Sequence, residues 1–257
     1  MTFNIFIGIT IPLWGTLLGT LCVLFMKDCP TTGLRVPLLG FAAGIMTAAS
    51  VWSLLLPAIR LAASMGSLAF IPANAGFLLG VFFLIFLEWA IPKLRCRISG
   101  KSGGIKSSTM MVIAVGLHNV PEGMAVGAVF AGLLSGMTDV TLGGALALSV
   151  GIAIQNIPEG AIVSMPLKAE GKNRLFALGA GVASGIVEPV GALLTLCAVG
   201  HLLPALPYLL GFAVGAMIYV VVKDILPEIE GEGLGCLGAV FFAIGFSVMM
   251  TLDVALG

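Results

Sequence analysis

The chain has 257 residues, 59% of them hydrophobic and 9% charged, with a mean hydropathy of +1.16 and a formal net charge of zero. Soluble domains carry about 25% charged residues, so this composition excludes a water-soluble protein and describes an integral membrane protein whose solvent is the lipid bilayer. There is no basic stripe with interleaved aromatics, which excludes a nucleic-acid partner, and Cys22, Cys29, Cys96, Cys197 and Cys236 show no CxxC or ligand spacing and read as small apolar helix residues.

In chain order, the first apolar run covers about 4–26. No Lys or Arg precedes it and Lys27 follows it, so it reads as a retained helix rather than a signal peptide. Seven more runs of membrane-spanning length follow at about 36–59, 69–92, 109–133, 139–166, 175–200, 203–225 and 232–253. The loops after the first, third, fifth and seventh runs hold Lys27 and Arg35; Lys93, Arg95, Arg97, Lys101 and Lys106; Lys168, Lys172 and Arg174; and Lys223. Of the 12 Lys and Arg residues, Arg60 alone falls on the other side. The positive-inside rule makes those loops cytoplasmic and both termini extracytoplasmic. An odd number of spans would break that sorting. The expectation is therefore an all-α, eight-span protein of the cell membrane (the inner membrane in a Gram-negative source), with residues 1–257 forming a single transmembrane domain. The longest loop, about 93–108, is basic and rich in Gly and Ser, and reads as a mobile solvated linker rather than a docking site for anionic lipid.

The informative residues lie inside the fourth, fifth and sixth spans. Residues 118–123 read HNVPEG, residues 155–160 read QNIPEG, and Glu188-Pro189 repeats the carboxylate–proline pairing. Charges at this depth are costly and face a protein interior or a water-filled path. No Lys or Arg lies deep enough to pair with Glu122, Glu159 or Glu188. His118 and Gln155 lie about 15 residues from the same membrane surface on antiparallel neighbours, so at about 1.5 Å per residue the hexapeptides sit level. His118 and Glu122 share a face at i,i+4, as do Gln155 and Glu159. Asn119 and Asn156 are about 100° further round and serve an adjacent position. Pro121 and Pro158 free carbonyls that the bilayer tolerates where they line a cavity. Gly123 and Gly160 permit close backbone approach. Three carboxylates, an imidazole and several amides form an acceptor-rich, net-negative ensemble. Such a set suits a divalent transition metal better than an anion, a sugar or an apolar solute. The plainer alternative is a polar cluster that holds helices together, which does not require three unpaired carboxylates.

With these residues in view, the pattern resembles the ZIP family of metal transporters, and 40–59 (GFAAGIMTAASVWSLLLPAI) and 245–257 (GFSVMMTLDVALG) look like its prokaryotic GufA-like branch. The resemblance implies an eight-helix bundle in a 3+2+3 arrangement with inverted symmetry, and often a homodimer. It also implies a two-metal centre. One ion would be held by His118, Glu122, Gln155 and Glu159, with Met46 close by. The second would be held by Asn119, Asn156 and Glu188, with Glu122 and Glu159 bridging. Some relatives carry Asp at Asn156 and others His at Gln155, so the second position here lacks a charge and the first lacks an imidazole. The transported ion is expected to be Zn2+, with Cd2+, Fe2+, Mn2+ and Ni2+ not separated by the sequence.

Secondary positions have two readings each. Met46 is a thioether ligand or ordinary packing. Ser53, on the same face, lines the outer path or packs. Asp253 attracts entering cations or snorkels to the interface. Arg60 at the entrance weakens cation recruitment. Glu228, Glu230 and Glu232 receive departing metal or form a solvated acidic loop. His201 is incidental. Two competing functions remain: a proton- or sodium-coupled carrier of a small organic solute, with the carboxylates as relay, and an intramembrane metallohydrolase. The second would want an HExxH-type motif, which the chain lacks, so no enzyme is expected.

Overall fold

The computed structural model describes residues 2–25, 32–99, 107–136, 140–199 and 203–256, and all regular structure among them is helical. Helix α1 is Thr2–Phe25. Helix α2, Thr32–Ala49, runs without a break through a π-helical turn, Ser50–Leu55, into α3, Leu56–Leu61. Then come α4 (Phe70–Ser99), α5 (Ser107–Leu134), α6 (Leu142–Ala169) and α7 (Arg174–Val199). Helix α8, Leu206–Val220, passes through a second π-helical turn, Val221–Ile225, into α9, Leu226–Gly231, and α10 is Gly235–Leu256. Seven of these continuous segments are long and apolar enough to cross a membrane. The other long helix is α5, whose 28 residues include His118, Asn119, Pro121 and Glu122 at the middle.

Element positions follow the apolar runs, with corrections at their ends. The loop expected from 93 is helical through Ser99, because α4 continues past the apolar run. The seventh run does not stop at 225 but continues to Gly231. Pro227 follows the π-helical turn, which closes with the Leu226 amide donating to the Val221 carbonyl, and the segment stays helical past it. Lys223 is thus a helix residue, and Glu228 and Glu230 are helical rather than loop residues. Thr141 starts α6 by accepting a hydrogen bond from the Gly144 amide at 2.9 Å. Lys27, Cys29, Lys101, Lys106 and His201 lie outside the described residues, as do the side chains of Lys93, Arg95, Cys96 and Arg97.

Packing divides the helices into two sets. Helices α1, α5, α6 and α7 form one, through the pairs α1–α6 and α5–α7. Helices α2–α3, α4, α8–α9 and α10 form the other, through α2–α10 and α4–α8. Small residues bring these pairs close: a Cβ on Gly44 would lie 2.1 Å from the Phe242 carbonyl oxygen, and one on Gly215 would lie 2.0 Å from that of Phe77. Ile45, Met46, Leu54, Phe130, Leu148 and Met217 fill the core between the sets. Large apolar side chains such as Phe82, Phe86 and Trp89 face outward, as a lipid-contacting surface requires.

Candidate metal centre

The polar residues of the spans converge in the first helix set. Helix α5 contributes His118, Asn119 and Glu122, α6 contributes Gln155, Asn156 and Glu159, and α7 contributes Glu188. All three helices continue through their prolines, Pro121, Pro158 and Pro189. Close approach brings the carboxylates together. A Cβ on Gly123 would sit 2.2 Å from the Glu188 carbonyl oxygen, and one on Gly160 would sit 2.3 Å from that of Thr16. Glu122 and Glu188 thus sit on helices in direct backbone approach.

Hydrogen bonds fix which way each group points. Gln155 Nε2 donates to Glu122 Oε1 at 2.8 Å. Asn119 Nδ2 donates to the Ser184 carbonyl and to Glu188 Oε1, both at 2.9 Å. Thr16 Oγ1 of α1 donates to the same Glu188 oxygen at 2.9 Å. Asn156 Nδ2 reaches the Pro12 carbonyl at 3.4 Å. The amide nitrogens are thus spent on neighbours, and the oxygens are left over. Asn119 Oδ1, Gln155 Oε1, Asn156 Oδ1 and the Oε2 atoms of Glu122, Glu159 and Glu188 are buried with no hydrogen-bond partner among the described residues. Asn119, Glu122, Gln155, Asn156 and Glu188 are all at 0% exposure. Acceptors buried in this way are expensive unless a donor or cation meets them.

His118 departs from the expected arrangement. Its Nε2 lies 3.2 Å from Asp224 Oδ2, on the π-helical turn after α8, so the imidazole reaches toward the second helix set. Met46 is fully buried on α2 as part of the main apolar core, and its carbonyl accepts the Ser50 hydroxyl at 2.8 Å.

Two cavities flank this level. One, of about 250 Å3, is lined by His118 and Glu159 together with Arg35, Asp224 and Glu228. The other, of about 240 Å3, is lined by Trp52, Ser53, Arg60 and Asp253, and no hexapeptide residue lines it. There Ser53 Oγ donates to Asp253 Oδ1 at 2.5 Å, so Asp253 turns inward rather than toward the interface. Arg35 is ion-paired with Glu228 and, at 3.1 Å, with Glu232; these two acids are engaged by a cation of the chain itself, not held in a solvated loop.

Sequence reasoning missed Thr16, Glu88 and Asp224. Thr16 carried no signal, being one hydroxyl in an apolar helix. Asp224 and Glu88 lie close to the ends of their marked runs, beside basic residues, where the depth argument applied to Glu122 does not reach. A repeat was also overlooked. GFAAGIM at 40–46 returns as GFAVGAM at 211–217, and each copy leads through a π-helical turn to Leu-Pro, at 56–57 and 226–227.

Comparison with known proteins identifies the family. The family model described as ZIP Zinc transporter matches residues 99–253. The chain is 32% identical to Zinc transporter ZIP11 of Homo sapiens, with 95% of each chain covered. It is 36% identical to Zinc transporter ZIPB of Bordetella bronchiseptica over 94% of this chain and 78% of that one. It is 34% identical to Zinc transporter GufA of Myxococcus xanthus over 93% and 94%. The chain belongs to the ZIP family, multi-pass membrane proteins that transport metal.

Proposed function

We propose that the protein imports Zn2+ into the cytoplasm through a centre built by the two hexapeptides and Glu188. The observation that carries the reading is the set of six buried oxygens without partners, contributed by Asn119, Glu122, Gln155, Asn156, Glu159 and Glu188. Carboxylate and amide oxygens with an imidazole at the edge make a donor set that takes zinc and its neighbours. Glu122, Gln155 and Glu159 hold the first ion. His118 joins them by turning from Asp224, and Met46 borders them. Asn119, Asn156 and Glu188 hold the second, with Glu122 and Glu159 shared. The zinc transport named for the relatives supports this choice of ion.

In this reading the chain crosses the membrane eight times with both termini outside. The repeated GFAxGxM segments and the matching helix pairs support inverted symmetry: α1–α6 answers α7–α5, and α2–α10 answers α8–α4. The cavity at His118 and Glu159 then opens to the cytoplasm, and the cavity at Asp253 faces outward. Glu159, which lines the first of these cavities, then gives the centre its approach from the cytoplasm.

Purified protein in proteoliposomes, offered a panel of divalent ions and with internal pH followed, tests the proposal. The expected result is saturable uptake of Zn2+ that Cd2+ inhibits. Failure to transport any divalent ion, with the protein folded, would overturn it.

A further inference from the structure

Beyond the centre, α4, α5 and the turn after α8 bring together a second group of ligand types. Glu88, His118 and Asp224 each offer one ligand atom, and these atoms lie within 4.8 Å of one another. Two carboxylates and an imidazole at that spacing could bind a divalent metal. The group already has a cation. Lys223 Nζ lies 2.7 Å from the Glu88 carboxylate and 3.4 Å from Asp224 Oδ1. The Tyr219 hydroxyl donates to Glu88 Oε2 at 3.1 Å, aiming that carboxylate at the ammonium. His118 and Asp224 also line the cavity that Glu159 opens into. An ion leaving the centre on that side meets this group next.

We propose that Lys223 is a tethered counter-cation that keeps Glu88, His118 and Asp224 from capturing the metal as it leaves. The inference rests on the reading of the centre given above. An ammonium is a compact point charge on a flexible stem, and being covalently attached it competes at high effective concentration. It occupies the carboxylates when no metal is present and retakes them when one passes. Two carboxylates and an imidazole left free would instead form a trap, and tight ground-state binding slows turnover. The plain alternative is a helix–helix ion pair between α4 and α8, which would stabilise modestly and leave transport alone.

The test uses the full chain. Zn2+ is titrated into purified wild type, Lys223→Met and Lys223→Met/Glu88→Gln, and uptake is measured in proteoliposomes. Lys223→Met should bind one more Zn2+ per chain than wild type, the added ion keeping His118 on the Asp224 side and leaving the first ion to Glu122, Gln155 and Glu159, with a lower KM and turnover down on the order of tenfold. The added Glu88→Gln should remove the extra ion and restore turnover. Lys223→Gln serves in place of Lys223→Met should the latter not fold, with the same expectations. Wild-type stoichiometry and turnover in the lysine variant would overturn the proposal. Placing Lys223→Met in a Glu122→Gln/Glu159→Gln background separates the two readings. An extra ion retained there, with wild type binding none, refutes the centre and upholds the trap; wild type binding with no extra ion in the lysine variant does the reverse.

Discussion

Glu188 shows how neighbours orient a single carboxylate for the ligand role proposed for it. Thr16 and Asn119 both donate to its Oε1, so Oε2 is the oxygen left to face the centre. Thr16→Val keeps the shape and removes one donor. A hydrogen bond to a charged group contributes about 1.5 kcal/mol or more, so Zn2+ affinity should fall roughly tenfold or more; calorimetric titration of the purified variant reads this directly. Asn156→Asp makes the opposite change. It places a carboxylate beside Glu188 and forfeits the donor to the Pro12 carbonyl. Without metal the added charge is buried and unpaired, so the melting temperature should drop. With Zn2+ the rise in melting temperature should exceed that of wild type, because ligand binding to the folded state stabilises it. A variant equally destabilised with and without Zn2+ would remove Asn156 from the centre. At this scale the hexapeptides were legible because ionisable groups in an apolar run have few other uses. Thr16 was not, since a hydroxyl in a membrane helix can satisfy itself on its own backbone, as Thr20 does on the Thr16 carbonyl.

At the scale of elements, glycines decide how near the ligands come. A side chain on Gly123 meets the Glu188 backbone at 2.2 Å, so Gly123→Ala must push α5 and α7 apart. Overpacking of this kind costs about 1–3 kcal/mol. Thermal melting should show the loss, and Zn2+ affinity should fall with it. Gly179, on the same α7, has nothing within 4 Å of an added Cβ, so Gly179→Ala should leave melting unchanged or raised by up to about 1 kcal/mol. Equal effects of the two would contradict a packing role at the centre. The helices themselves were legible from apolar length, but their ends were less so. Proline breaks helices in general, yet Pro227 follows a π-helical turn inside one helical segment that continues to Gly231. Lys223 and Glu228 consequently move from an expected loop onto helices, and the Arg35 pairings to Glu228 and Glu232 follow from that placement.

For the whole molecule, the two helix sets matter more than the order of spans. The residues of the proposed centre lie on α5, α6 and α7, with Thr16 of α1 against them, whereas Asp224, Met46 and the Ser53–Asp253 pair belong to the other set. His118 joins the two through Asp224. Sequence alone found the long apolar helices in order, because hydropathy reports on the bilayer. It did not group them, because lateral packing rests on small residues that hydropathy treats alike. Transport as a whole should weaken as pH falls, since the ligands must shed protons to bind metal; initial Zn2+ uptake measured from mildly alkaline to mildly acidic pH should decline, and a flat profile would count against carboxylate and imidazole ligands.

The central claim is that the carboxylates of the two hexapeptides hold the transported ion. Zn2+ titration of purified wild type beside Glu122→Gln/Glu159→Gln, with melting curves to establish folding, tests it most directly. The account predicts that wild type binds Zn2+ and that the double variant, although folded, loses that binding and all uptake. A folded double variant that binds and transports Zn2+ like wild type would contradict it.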